Sequence, residues 1–171
     1  MHPSDRHDDL TSFPVIEWVA SMPGMQRRLR AGARVADVGC GAGQSLIRLA
    51  RAHPTSTFHG FDPDPAMIET ARVASAEAGV SDRVTFEVAA AAHFPGSGYD
   101  LICAVGALEG HNAHNLARRI RRAVAAGGTW LLCDPGEGAP FLRERELDRE
   151  EPPPAGPCSE QRPRSEWLRA T

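Results

Sequence analysis

The sequence predicts an α/β fold: a doubly wound parallel sheet of about five strands with helices on both faces. Three observations carry this. Short apolar runs alternate with helical periodicity from Arg34 to Cys133. Those runs are apolar almost throughout, as strands covered on both faces must be. The first run ends in an acid and a glycine-spaced turn, Asp37-Val38-Gly39-Cys40-Gly41-Ala42-Gly43. In such sheets ligands bind beyond the carboxyl ends of the strands, where the strand order reverses.

The elements follow in order. Residues 1–12 are polar and expected to be unstructured. Phe13 to Met22 has helical spacing and ends at Pro23-Gly24; a short basic helix, Gln26 to Arg30, leads to Gly32. Arg34 to Val38 is the first strand and Gln44 to Ala52 an amphipathic helix. Thr57 to Phe61 is the second strand. Pro65 to Ala78 is the second helix of the sheet region, with Asp64 at the N-cap, Pro65 at the first helical position and Gly79 beyond the end. Val84 to Val88 is the third strand, Ala90 to Gly98 a loop, and Asp100 to Val105 the fourth strand. Ala113 to Ala125 is a helix stopped by Gly127-Gly128, and Thr129 to Cys133 is the fifth strand. Right-handed crossovers then give a Rossmann-like order.

From Pro135 the composition changes. Half of the 14 prolines lie from there on, Pro152-Pro153-Pro154 blocks regular structure, and Phe141 to Glu151 reads as a short solvated helix. The chain divides into an N-terminal helical segment (1–32), a cofactor-binding domain (33–135) and a Pro/Arg-rich tail (136–171) expected to be disordered.

Composition excludes several classes. The 171 residues suffice for one domain with a sizeable core, and 42 % hydrophobic with 24 % charged residues is ordinary globular content. A net charge of -3 gives no reason to expect nucleic acid or an anionic membrane as partner. All 19 basic residues are arginine, a coding bias rather than a functional signal. The four cysteines form no C-x-x-C pair, and the first residues lack the apolar run of a signal peptide, so a cytoplasmic location is expected. The run Arg118-Arg119 with Arg121-Arg122 reads as a solvated helix face.

The glycine turn and the next acid point to a nucleotide-type cofactor. Glycines allow positive φ and remove the Cβ that would block a ligand. The dinucleotide fingerprint G-x-G-x-x-G needs a glycine one position later than Gly43, where this chain has Gln44. That shift argues against a nicotinamide-dependent oxidoreductase and for S-adenosylmethionine, whose methionine part carries no phosphate. Asp37 suits its ammonium group. Asp62, about 25 residues on, suits both hydroxyls of a ribose, or else acts as a turn residue in Asp62-Pro63-Asp64-Pro65.

The stretches VADVGCGAG, FHGFDPDPAMIETAR, RVTFEV, GYDLICAVGALEG and RRAVAAGGTWLLCDP, in this order, resemble class I S-adenosylmethionine-dependent methyltransferases, most of all actinobacterial ones. The resemblance implies that Asp37, Gly39 and Gly41 line the methionine part, with Cys40 and Gly43 in the same turn. It implies that Asp62 holds the ribose, that Pro63 and Met67 pack near the adenine, and that Ala90 and Ala91 border it. Val105 and Gly106 would face the sulfonium and the substrate.

Three departures accompany the resemblance. Relatives place an acid where this chain has Ala90, with His93 at a second such position. They have Asp-x-Leu-His-Asp where this chain reads Gly106-Ala107-Leu108-Glu109-Gly110. Glu109 and His111 remain as candidate bases, and His111 with His114 lacks a third ligand for a metal. The family's C-terminal β-hairpin is expected to be missing, as in a truncated or divergent chain, which leaves strand five as an apolar edge for a homodimer partner or the tail to cover. The expected function is methyl transfer to a small-molecule acceptor; the alternative is a non-catalytic, degenerate relative.

Overall fold

The computed structural model describes residues 15–22, 24–105, 107, 113–133 and 141–144. Helix α1 (15–21) precedes α2 (Met25–Ala31), which ends at Gly32 in the left-handed region. There follow β1 (Arg34–Val38), α3 (Gln44–Ala52), β2 (Thr57–Asp62), α4 (Pro65–Glu77), β3 (Val84–Val88), a 3-10 turn (Ala91–His93), β4 (Tyr99–Val105), α5 (Ala113–Ala123), β5 (Val124–Cys133) and β6 (Phe141–Glu144). The sheet order is β3-β2-β1-β4-β5-β6. β1 to β5 are all parallel, as expected.

Alternation along the strands builds two cores. Val35, Leu101 and Cys103 face α1 to α4 with Val19, Leu29, Leu46, Phe58, Ile68 and Phe86. Ala36, Val38, Ile102 and Ala104 face α5 with Phe61, Phe94, Tyr99, Leu116 and Ile120. Period two in a strand sends neighbours to opposite faces. Helix starts follow local chemistry: Asp64 accepts from the Ala66 amide at 2.8 Å and caps α4, and Pro65 supplies its first turn.

Two expectations need correction. Helix α5 stops at Ala123 rather than running to a Gly127-Gly128 stop, and β5 begins at once, with Val124 opposite Tyr99. The glycines serve a bulge inside the strand. Gly127 has φ 73, and a Cβ on Gly128 would lie 2.7 Å from Val124 Cγ2 and 2.8 Å from the Tyr99 carbonyl oxygen.

The second correction concerns Phe141 onward. Its first four residues form a strand, antiparallel to β5, with Leu132 opposite Phe141 and Thr129 opposite Glu144. The unpaired backbone of β5 offers a ladder that outweighs the local helical pattern. The edge left open to a homodimer partner is thus taken by β6. Phe13, Glu109, His111, Gly106 and the rest of the tail fall outside the described residues. No helix among the described residues is long and apolar enough to cross a membrane.

Candidate active site

The carboxyl ends of β1, β2, β3 and β4 meet around the glycine turn. The turn is tied to β2: the Gly39 and Cys40 amides donate to the Phe61 carbonyl at 2.7 and 3.1 Å. Gly39, Gly41 and Gly43 have φ of 80, 52 and 77, a region closed to most side chains.

Asp62 braces this corner with both carboxylate oxygens. Oδ2 accepts from the Gly41 amide and Oδ1 from the Asp64 amide, each at 2.9 Å. Its backbone carbonyl also accepts from Ala89 at 3.0 Å, joining the ends of β2 and β3. The turn role and the ligand role expected of Asp62 are therefore compatible, because each carboxylate oxygen has further acceptor capacity.

Asp37 lies on the same face as Val35 and opposite Cys103, and is only 5 % exposed. Burial, and secondarily the Asp62 carboxylate, push its pKa up to about 7. Neither acid has an ion-pair partner among the described residues. Two acids sharing one corner without a cation make a site that favours a positively charged ligand. Burial, then Asp37 and Asp62, hold the Cys40 thiol far above the ordinary range, which disfavours its thiolate.

Gly43 turns away from the cleft. A Cβ there would lie 2.5 Å from Phe86 Cζ, and one on Gly60 would lie 2.4 Å from Phe86 Cδ1. The Gly43 amide is bonded to the Cys40 carbonyl at 2.9 Å. Its glycine character serves the close approach of α3 to the sheet. Phe86 itself escaped the sequence reading, although a glycine inside strand β2 signals such an approach.

The remaining positions surround the corner. Pro63 is exposed and Met67 half-buried at the start of α4. Ala90 is exposed and extended, and its carbonyl accepts from the His93 amide at 2.8 Å; Ala91 opens the 3-10 turn. His93 is exposed. Val105 ends β4, its carbonyl oxygen 3.4 Å from where a Cβ on Gly39 would sit. The loop after β3 is clamped from α5. Arg119 Nε donates to the Phe94 carbonyl at 2.6 Å, its second nitrogen to Gly96, and its guanidinium lies 4.4 Å above the Phe94 ring. That clamp, too, was not legible in the arginine run.

The five parallel strands, the glycine turn and the acids at the ends of β1 and β2 together define the class I S-adenosylmethionine-dependent methyltransferase fold. The family described as "Methyltransferase domain" matches residues 35–128, and the chain belongs to it. The chain is 34 % identical over 131 residues to a trans-aconitate 2-methyltransferase of Paracidovorax citrulli, covering 76 % of this chain and 47 % of that protein. It is 33 % identical over 109 residues to the 27-O-demethylrifamycin SV methyltransferase of Amycolatopsis mediterranei, covering 62 % and 40 %. Among solved structures, it is similar to a SAM-dependent methyltransferase from Geobacter sulfurreducens in complex with S-adenosyl-L-homocysteine. That match has 28 % identity, a TM-score of 0.53, and coverage of 65 % and 47 %. The chain spans about half the length of these relatives.

Proposed function

We propose that the chain binds S-adenosylmethionine at the corner formed by Asp37 and Asp62 and transfers its methyl group to a small-molecule acceptor. The observation that carries this reading is the buried Asp37 beside the half-buried Asp62, with no cation paired to either among the described residues. Bound there, S-adenosylmethionine supplies an electrophilic methyl group on a sulfonium. Asp37 takes up the ammonium of the methionine part, and its carboxyl gives up a proton as it does so. Asp62 accepts the ribose hydroxyls while its two backbone bonds hold the glycine turn in place. Gly39, Cys40 and Gly41 present backbone without side chains reaching into the methionine part. Pro63, Met67, Ala90 and Ala91 flank the adenine, and Val105 borders the sulfonium.

The chain's remaining work is positioning and exclusion of water, which suffices for an acceptor that is already nucleophilic. Where the acceptor needs a base, Glu109 and His111 are the candidates. The printed names of the relatives carry acceptors as different as trans-aconitate and 27-O-demethylrifamycin SV, so a small molecule is the reading common to both. A cytoplasmic setting suits the free Cys40 and Cys103 thiols.

Ala90 favours a second reading, a relative that no longer catalyses, because an alanine side chain cannot accept from the adenine amino group. Calorimetric titration with S-adenosylhomocysteine separates the two. Micromolar binding that Asp62→Ala abolishes supports the enzyme; a folded chain that binds neither S-adenosylhomocysteine nor S-adenosylmethionine supports the degenerate relative.

A further inference from the structure

Charge is unevenly placed at the end of the sheet opposite the candidate site. Helices α2 (MQRRLRA) and α5 (AHNLARRIRRA) contain no acid. Arg27, Arg28 and Arg30 of the first, and Arg118, Arg121 and Arg122 of the second, are exposed. Arg119, half-buried and held through two of its nitrogens by the Phe94 and Gly96 carbonyls, takes no part.

The two helices converge on the start of β5. Helix α5 passes directly into β5 at Val124, opposite the first residue of β4. From the other side, Arg28 Nη1 donates to the Gly127 carbonyl at 2.7 Å. Arginines of both sheet faces therefore flank the bulge at residues 125–128. β6 runs antiparallel to β5, and its last residue, Glu144, lies opposite Thr129, beside this bulge. The next seven residues read RELDREE: Glu146, Asp148, Glu150 and Glu151 against Arg145 and Arg149.

We propose that this segment, Arg145 to Glu151, docks across the arginine cluster of α2 and α5 and so fastens β6 to the edge of β5. Seven residues reach roughly 23 Å at ~3.3 Å per residue, enough to pass from the end of β6 over the bulge to the last turn of α5. Single exposed ion pairs are weak. Here several charges act together, and the segment is already tethered by β6, which raises its effective concentration at the arginines. The clasp answers a need of the fold, since among the described residues only the four-residue β6 covers the apolar edge Trp130-Leu131-Leu132.

The test is hydrogen exchange by mass spectrometry on the full chain, following the amides of 141–151 at low and high salt. Variants are Arg118→Glu with Arg122→Glu, Glu146→Arg with Glu150→Arg, and the two pairs combined, with Arg118→Gln plus Arg122→Gln as a milder change should the reversal impair folding. Exchange in the wild type is expected to be several-fold slower at low salt than at high salt. Each single-side reversal abolishes that difference, and the combined swap restores it. Exchange indifferent to salt and to all the variants would overturn the clasp. Protection that rises with protein concentration would overturn it as well, by assigning the occupant to a second copy of the chain.

Discussion

At the residue scale, Asp37 carries a cost in stability that depends on pH. Its folded pKa of about 7, against an ordinary 3.8, means the folded protein holds a proton that the unfolded chain has released. The stabilising contribution is full below about pH 4 and lost as pH rises through about 7. That shift represents roughly 4 kcal/mol at ~1.4 kcal/mol per pH unit. Asp37→Asn should therefore raise stability at pH 8 by about 2 kcal/mol, since an amide still pays to be buried, while cofactor binding is lost. Urea denaturation at pH 5 and pH 8 checks this: the gain belongs to pH 8 only.

His53 works in the opposite sense. It closes α3, and its Nδ1 is buried without a hydrogen-bond partner among the described residues. Burial first, then Arg30, lower its pKa. A lowered value favours the folded state above the ordinary 6.5 and is lost as pH falls, because the unfolded chain takes the proton more readily. Replacing the ring with His53→Leu should flatten the loss of stability between pH 7 and pH 5, read from thermal melting across that range.

Among the elements, the junction of α3, β2 and β3 depends on two missing side chains. Gly43→Ala and Gly60→Ala each drive a methyl group into Phe86, and Gly43→Ala also strains a left-handed backbone. Each should destabilise the chain by about 1–3 kcal/mol, and Phe86→Leu should recover part of the loss in combination. Denaturant midpoints of the single and double variants measure the coupling. Arg119→Ala removes the clamp on the loop after β3. It should leave the sheet intact and raise exchange of the amides from Ala91 to Gly96.

Much of the whole molecule was legible in its sequence. Strands β1 to β4 and helices α3 and α4 announce themselves by periodicity, by Asp64-Pro65 and by Gly79, all local signals. Asp37 and Asp62 were legible as candidates because each ends a strand beside the glycine turn, whereas the two amide bonds that Asp62 makes within the corner were not. What was not legible is tertiary. Phe141–Glu144 becomes a strand only because β5 presents an open ladder. Gly127 and Gly128 stop no helix because Val124 already pairs with Tyr99. Gly43 looks toward Phe86, a residue about 40 positions away in sequence. The arginine run contains one residue, Arg119, whose partners lie in a distant loop.

Cofactor binding at the acid pair is the central claim, and proton release tests it most directly. S-adenosylhomocysteine would be titrated into the chain by calorimetry near pH 7, in two buffers of different ionisation enthalpy. The account predicts binding that releases a sizeable fraction of one proton, tightens as pH rises from 6 to 8, and is lost in Asp37→Asn. Binding of equal strength in Asp37→Asn, with no proton released by the wild type, would contradict it.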